Sequence, residues 1–69
     1  MADGRVARVT EVVAGSPSSF DEAVKVAFDR ANKTLRNITG MKVIEQRVMV
    51  EAGAIQEYRV RLEVIFVLE

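Results

Sequence analysis

Glu45, Arg47, Arg59, Arg61 and Glu63 recur at alternate positions inside strand-like stretches of this chain. Alternation places such residues on one face of a strand. Two kinds of chemistry fit them. They can neutralise one another as cross-strand ion pairs. They can also form a polar lining where two subunits meet, so that assembly creates a pocket no single chain has. Other carboxylates, among them Asp21, Glu22, Glu51 and Glu57, read as solvated surface charge, and none has the spacing of a calcium-binding EF-hand loop. The chain has no His and no Cys. The usual nucleophile–base pairs and soft-metal sites are therefore closed to it, and no glycine-rich phosphate loop is present. These absences point away from an enzyme. Its four aromatic residues, Phe20, Phe28, Tyr58 and Phe66, fall on stripes expected to face a core, which leaves none as an obvious platform for a flat ligand. Met41 and Met49 read as gap fillers or interface residues.

The 69 residues allow one domain, expected to span 1–69. A chain of this length buries only about 60% of its unfolded surface, so burial and chain entropy nearly cancel. Disulfides and Cys- or His-based zinc are not available as reinforcement. Good packing or self-association remains. A hydrophobic fraction of 49% argues for a folded protein. Ten basic and ten acidic residues cancel without forming a basic run, so no nucleic-acid partner is expected. No apolar run approaches the roughly 18 residues of a membrane span, and "MADGRVARV" lacks the apolar core of a signal peptide. A cytoplasmic protein without a membrane partner is the expectation.

One helix and three strands must position these residues. At 100° per residue, Phe20, Val24, Ala27, Phe28, Ala31, Thr34, Leu35 and Ile38 fall within an arc of about 120°, a core-facing stripe. Asp21–Lys25 and Asp29–Lys33 have the favourable acid-first i,i+4 spacing. Either Ser16 caps the helix with Pro17 at its first position, or Ser19 forms a capping box with Glu22. The stop signal is Asn37 and Gly40 after a basic turn carrying Lys33 and Arg36. On local grounds Gly40 is thus a helix-end glycine that tolerates φ > 0. Arg5–Val13 reads as a first strand, Met41 to about Glu51 as a second, and Ile55 onward as a third. The short "AGA" turn at 52–54 makes the last two an antiparallel hairpin. The order is β-α-β-β, an α+β fold with a three-stranded antiparallel sheet around one helix.

In the third strand, Tyr58, Val60, Leu62, Val64, Phe66 and Leu68 alternate onto the face that should meet the helix. The opposite face starts charged and turns apolar at Ile65 and Val67. One helix cannot cover both faces of this strand end, so a partner is required, and another copy of the chain is the expected one.

Several stretches resemble the dodecins: "EVVAGSPSSFDEAV", "DRANKTLRNI", "KVIEQR" and "EYRVRLEVIFVLE", together running from about Arg5 to Glu69. The resemblance implies a β-α-β-β subunit that assembles into a hollow dodecamer of cubic symmetry, a homododecamer. It implies a non-enzymatic protein. Typical dodecins bind flavins such as FMN or riboflavin in pairs, stacked between tryptophans at subunit junctions, and store or buffer them.

This chain departs from that pattern at the pocket. The stacking tryptophan falls at Gly40, and the chain has no Trp. The flavin-contacting glutamine after the tyrosine is Arg59, and an arginine often found two before the terminal acid is Val67. Of the flavin-pocket residues, the strand-two arginine, Arg47, matches. Aromatic stacking contributes about 1 kcal/mol beyond area burial, and arginine offers no acceptor to a flavin edge. The calcium dodecins, which also lack the tryptophan, are more similar here, in Val43-Ile44-Glu45-Gln46 and Tyr58-Arg59. The resemblance therefore implies a storage particle with an altered flavin pocket around Gly40, Arg47 and Arg59, binding a small ligand or an ion such as calcium through carboxylates the residues alone do not identify. The alternatives are flavin buffering through other contacts, and a purely structural assembly.

Overall fold

The computed structural model describes residues 4–68. Glu69, the end of the predicted third strand, lies outside them. Strand β1 (Val6–Ser16), helix α1 (Phe20–Thr34), strand β2 (Ile38–Glu51) and strand β3 (Ala54–Leu68) follow one another as expected. The sheet order is β1-β3-β2, with both pairings antiparallel. The last strand is thus central and the helix crosses from one edge strand to the other.

The helix starts where Ser19, in extended conformation, accepts a hydrogen bond from the Glu22 amide at 3.0 Å. Of the two possible caps, Ser19 is the one used. Ser16 is instead the buried last residue of β1, and its hydroxyl accepts from the Ser18 amide, which turns the chain toward the helix. Asp21 and Glu22 sit in the first turn and Lys33 in the last, complementing the helix dipole. Among the described residues, Asp21–Lys25 and Asp29–Lys33 do not close into ion pairs.

The helix is shorter than its periodicity predicts. Leu35 is already extended (φ −102°, ψ 145°), and Asn37 adopts φ 61°. Asn tolerates this left-handed conformation, so Asn37 makes the turn. Gly40 then lies inside β2 without a positive φ, and its assignment as a helix-end glycine is corrected. Ile38 belongs to the strand although it extends the helical stripe, and both Ile38 and Leu35 still pack on the core.

The core joins small helix residues to large strand residues. Ala23, Ala27 and Ala31 meet Val60, Leu62 and Val64, which are fully buried. Alanines let the helix axis approach the sheet closely. Burying each Val or Leu contributes about 1.5–3 kcal/mol. The buried helix face is rotated by roughly 40° from the stripe read in the sequence. Ala23 is therefore buried, whereas Phe28, expected in the core, is 38% exposed. Phe20 remains packed, edge-to-face on Tyr58 with ring centroids 5.3 Å apart.

The β2–β3 turn is tighter than the predicted three residues. Ala52 (φ 52°) and Gly53 (φ 76°) form it alone, both left-handed, as expected of a two-residue hairpin turn whose twist matches that of its strands. β2 carries register shifts at Ile38/Gly40, Val43/Glu45 and Met49/Val50, whereas β1 pairs without interruption.

Candidate functional site

The sheet face turned away from the helix is built from paired rows. The register aligns Val9, Ile65 and Gly40 across the three strands, then Glu11, Glu63 and Lys42, then Val13, Arg61 and Glu45, then Gly15, Arg59 and Arg47. One end is apolar, extended by Ala7 and Val67. The other is charged.

At the charged end, Arg61 on the central strand reaches both edges. Its Nη1 donates to Glu11 of β1 at 2.6 Å, and its Nε lies 3.5 Å from Glu45 of β2. Both pairs are cross-strand, as one reading of the sequence expected. The other two run along a strand. Arg47 donates to Glu45 at 3.1 Å, and Arg59 donates through Nε and Nη2 to Glu57 at 2.9 and 2.6 Å. Hydrogen bonding and charge from Arg47, reinforced by Arg61, hold the Glu45 carboxyl below the usual carboxylate range against a smaller cost of desolvation. Glu11, and then Glu45, raise Arg61 further above its already high value. Glu63 makes no ion pair in this network.

Arg47 and Arg59 stand directly opposite each other, an arrangement of like charges that costs free energy in a sheet. Each is offset by its own glutamate two residues earlier. With Val13, Glu45 and Arg61 they line a concave space of about 460 Å³. Two of the three site residues expected from sequence are therefore brought together.

The third is elsewhere. Gly40 pairs with Ile65, six positions along β3 from Arg59, roughly 20 Å away. It sits at a bulge, with the Thr39 hydroxyl donating to the Ile65 carbonyl at 3.5 Å. A Cβ added to Gly40 would meet only the Ile65 Cδ1, at 4.0 Å. The position has room for a side chain, and glycine is not required by packing. One chain does not join Gly40 to the arginines.

Three contributors were not singled out in the sequence. Glu57 orients Arg59, and its spacing of two on one strand face was the available signal. Gly15 lies beneath the Glu57 carboxylate, and any Cβ there would collide with it. Glu11 could be matched to Arg61 only once β1 was known to lie beside β3. Among the described residues of one chain, no group of three or more Asp or Glu side chains could hold a metal ion.

The family model for dodecin matches residues 6–69. The chain belongs to the dodecin family. It is 38% identical over 66 residues to a dodecin of Thermus thermophilus, covering 96% of each chain. The dodecin of Streptomyces coelicolor superposes with a TM-score of 0.91 at 39% identity, over 100% of this chain and 97% of that one. The calcium dodecin of Mycobacterium tuberculosis is 34% identical over 61 residues, 88% of this chain and 86% of that one. Its structure, described as a calcium-chelating protein with a novel calcium-binding site, superposes with a TM-score of 0.81 over 93% of this chain and 91% of that one. Dodecins of both branches thus share this β-α-β-β subunit. No helix among the described residues is long and apolar enough to cross a membrane.

Proposed function

We propose that this dodecin forms a non-enzymatic binding or storage particle, a hollow homododecamer whose flavin pocket has been altered, and that it holds a small ligand or an ion such as calcium. The observation that carries the reading is Gly40. It stands on the outer sheet face with open space above it, in a chain without any tryptophan. No ring is present at that position to stack on a flavin, and the Arg59 guanidinium is bound to Glu57. These residues do not fit a flavin sandwich. An ion site would draw its carboxylates from several copies, since no one chain gathers three among its described residues.

Flavin buffering is the second reading, favoured by the arginine-lined concavity at Arg47, Arg59 and Arg61. A phosphate-bearing flavin such as FMN could be held there by charge-assisted hydrogen bonds instead of by stacking.

The visible spectrum of the purified protein, followed by titration with FMN, separates the two. A colourless protein that leaves flavin fluorescence unquenched is expected. A yellow preparation, or strong quenching at sub-micromolar flavin, overturns the first reading. Metal analysis before and after chelation then tests calcium. Gly40→Trp is expected to gain flavin quenching, because the site has room for a ring. Absence of any gain would mean that the pocket differs by more than one side chain. A colourless, metal-free particle would favour a purely structural assembly.

A further inference from the structure

The helix side of the sheet carries an opening of its own, on the opposite face from Gly40 and the arginines. On the edge strand β1, Thr10, Val12 and Ala14 alternate onto the helix-facing side, beside Val64, Leu62 and Val60 of β3. The three β3 residues are fully buried, whereas the three on β1 are only half-buried. The helix packs through Ala23, Ala27 and Ala31, and alanines leave its flank too thin to cover the edge strand. A groove of about 300 Å³ remains between them, walled on the helix side by Val26, Arg30 and Thr34.

The groove has two different ends. Phe20 rests on Tyr58, the partner of Ser16, and the Asn37 carbonyl accepts from the amide of Val67, the partner of Ala7. Helix and strand therefore run in opposite directions. Ala14 and Val26 share one end, and Thr10 and Thr34 share the other. Val26 and Thr34 are roughly 12 Å apart along the helix. Arg30 stands between them and is the one charged residue of the groove. The residues three and four positions away on its helix are Val26, Ala27, Lys33 and Thr34, none of them acidic. No acid among the described residues pairs with it.

We propose that this groove binds an amphiphilic acid, a small molecule with an aliphatic tail and one carboxylate. The tail runs along Val12, Ala14 and Val26, and the carboxylate accepts from Arg30 beside the two threonines. An apolar trough favours the tail by removing it from water. The unpaired guanidinium selects an anionic head and disfavours an ammonium one. The helix C-terminus nearby acts as only about half a negative charge, against the full charges of Arg30 and Lys33. The volume lies at the small end of ligand pockets, so the ligand is small. This site is separate from the altered flavin pocket and does not depend on that reading.

Calorimetric titration with decanoate below its micelle concentration tests the proposal on the protein as purified, with light scattering on the same sample. Decanol supplies the tail without the charge, and acetate the head without the tail. Decanoate is expected to bind, acetate not to compete, and decanol to bind roughly 10-fold more weakly. Arg30→Gln should weaken decanoate by a similar factor and leave decanol unchanged. Val26 is 44% exposed, so Val26→Glu should fold. It places an acid four residues before Arg30, the favourable helical order, and the internal pair should block decanoate. Circular dichroism checks that both variants keep the fold. Absence of decanoate binding overturns the proposal. So does binding that survives both variants, or competition by acetate, which would move the acid to the arginine concavity on the other face. If decanoate binds only as the particle breaks into smaller species, the groove is a contact between copies and the proposal fails.

Discussion

The two ends of the outer sheet face are made from the same three strands and behave as different materials. Around Val9, Ile65 and Gly40 the face is apolar, with the Thr39 hydroxyl bound to the Ile65 carbonyl at the bulge. Around Arg61 it is a lattice of ion pairs spanning both edges of the sheet. Water solvates the second well and the first poorly. The apolar end therefore has most to gain from a second copy of the chain, since apolar burial contributes about 25 cal/mol per Å². The charged end gains little by burial, since its side chains are already paired and would have to be desolvated. The difference teaches that assembly and ligand choice need not rest on the same residues.

The largest effect should come from the apolar end. Ile65→Asp places an unpaired carboxylate where the strand is apolar on both faces, and light scattering should show the particle falling to single chains. If Ile65→Asp stays assembled, the apolar end is not an interface and the contrast between the two ends fails. Next is Arg61→Ala, which removes both cross-strand pairs at once. These groups are substantially exposed, so denaturant titration should show only a small loss, shrinking further at high salt, with assembly retained. A loss several times larger would mean that the charged end is buried in the assembly.

A smaller effect is expected at Gly15. Gly15→Ala drives a Cβ into the Glu57 carboxylate, whose flexible end can swing away. Arg59 would be released, the stability change should be at most about 1 kcal/mol, and anion binding at the arginine concavity should rise in a calorimetric titration. The smallest effect is in acid. The Glu45 carboxyl is held below its ordinary value by Arg47 and Arg61. A lowered folded value means that this stabilisation is present above the unfolded value of about 4.3 and disappears as pH falls through the lower folded one. Melting curves below about pH 4 should therefore decline less steeply for Glu45→Gln than for the wild type.

The contrast between the two ends was partly legible in the order of residues alone. Arg59, Arg61 and Glu63 followed by Ile65 and Val67 already announced a strand face that changes from charged to apolar. Partners were not legible, because Glu11 is fifty residues from Arg61 and only the β1-β3-β2 order brings them together. Gly40 misled because Ile38 continues the helical stripe by coincidence of spacing, while the turn was made by Asn37, whose tolerance of the left-handed region is a weaker signal than glycine's. Phe28 misled for a related reason. Periodicity locates a stripe but not its centre, and packing on the sheet selected the alanine-rich flank, where the helix can approach more closely.

What the residues determined alone was the element order, the hairpin, and the helix N-terminus to within its two candidate caps. All of these follow from local preferences and from alternation, which act over a few residues. Only the tertiary structure decided that β3 is central, that Arg61 ties both edges together, and that Gly40 lies far from Arg47 and Arg59. It also left the hairpin beyond Tyr58 uncovered. Those features depend on which strands lie side by side and how far a helix of fixed rise reaches along a strand of twice that rise, and no window of sequence contains both.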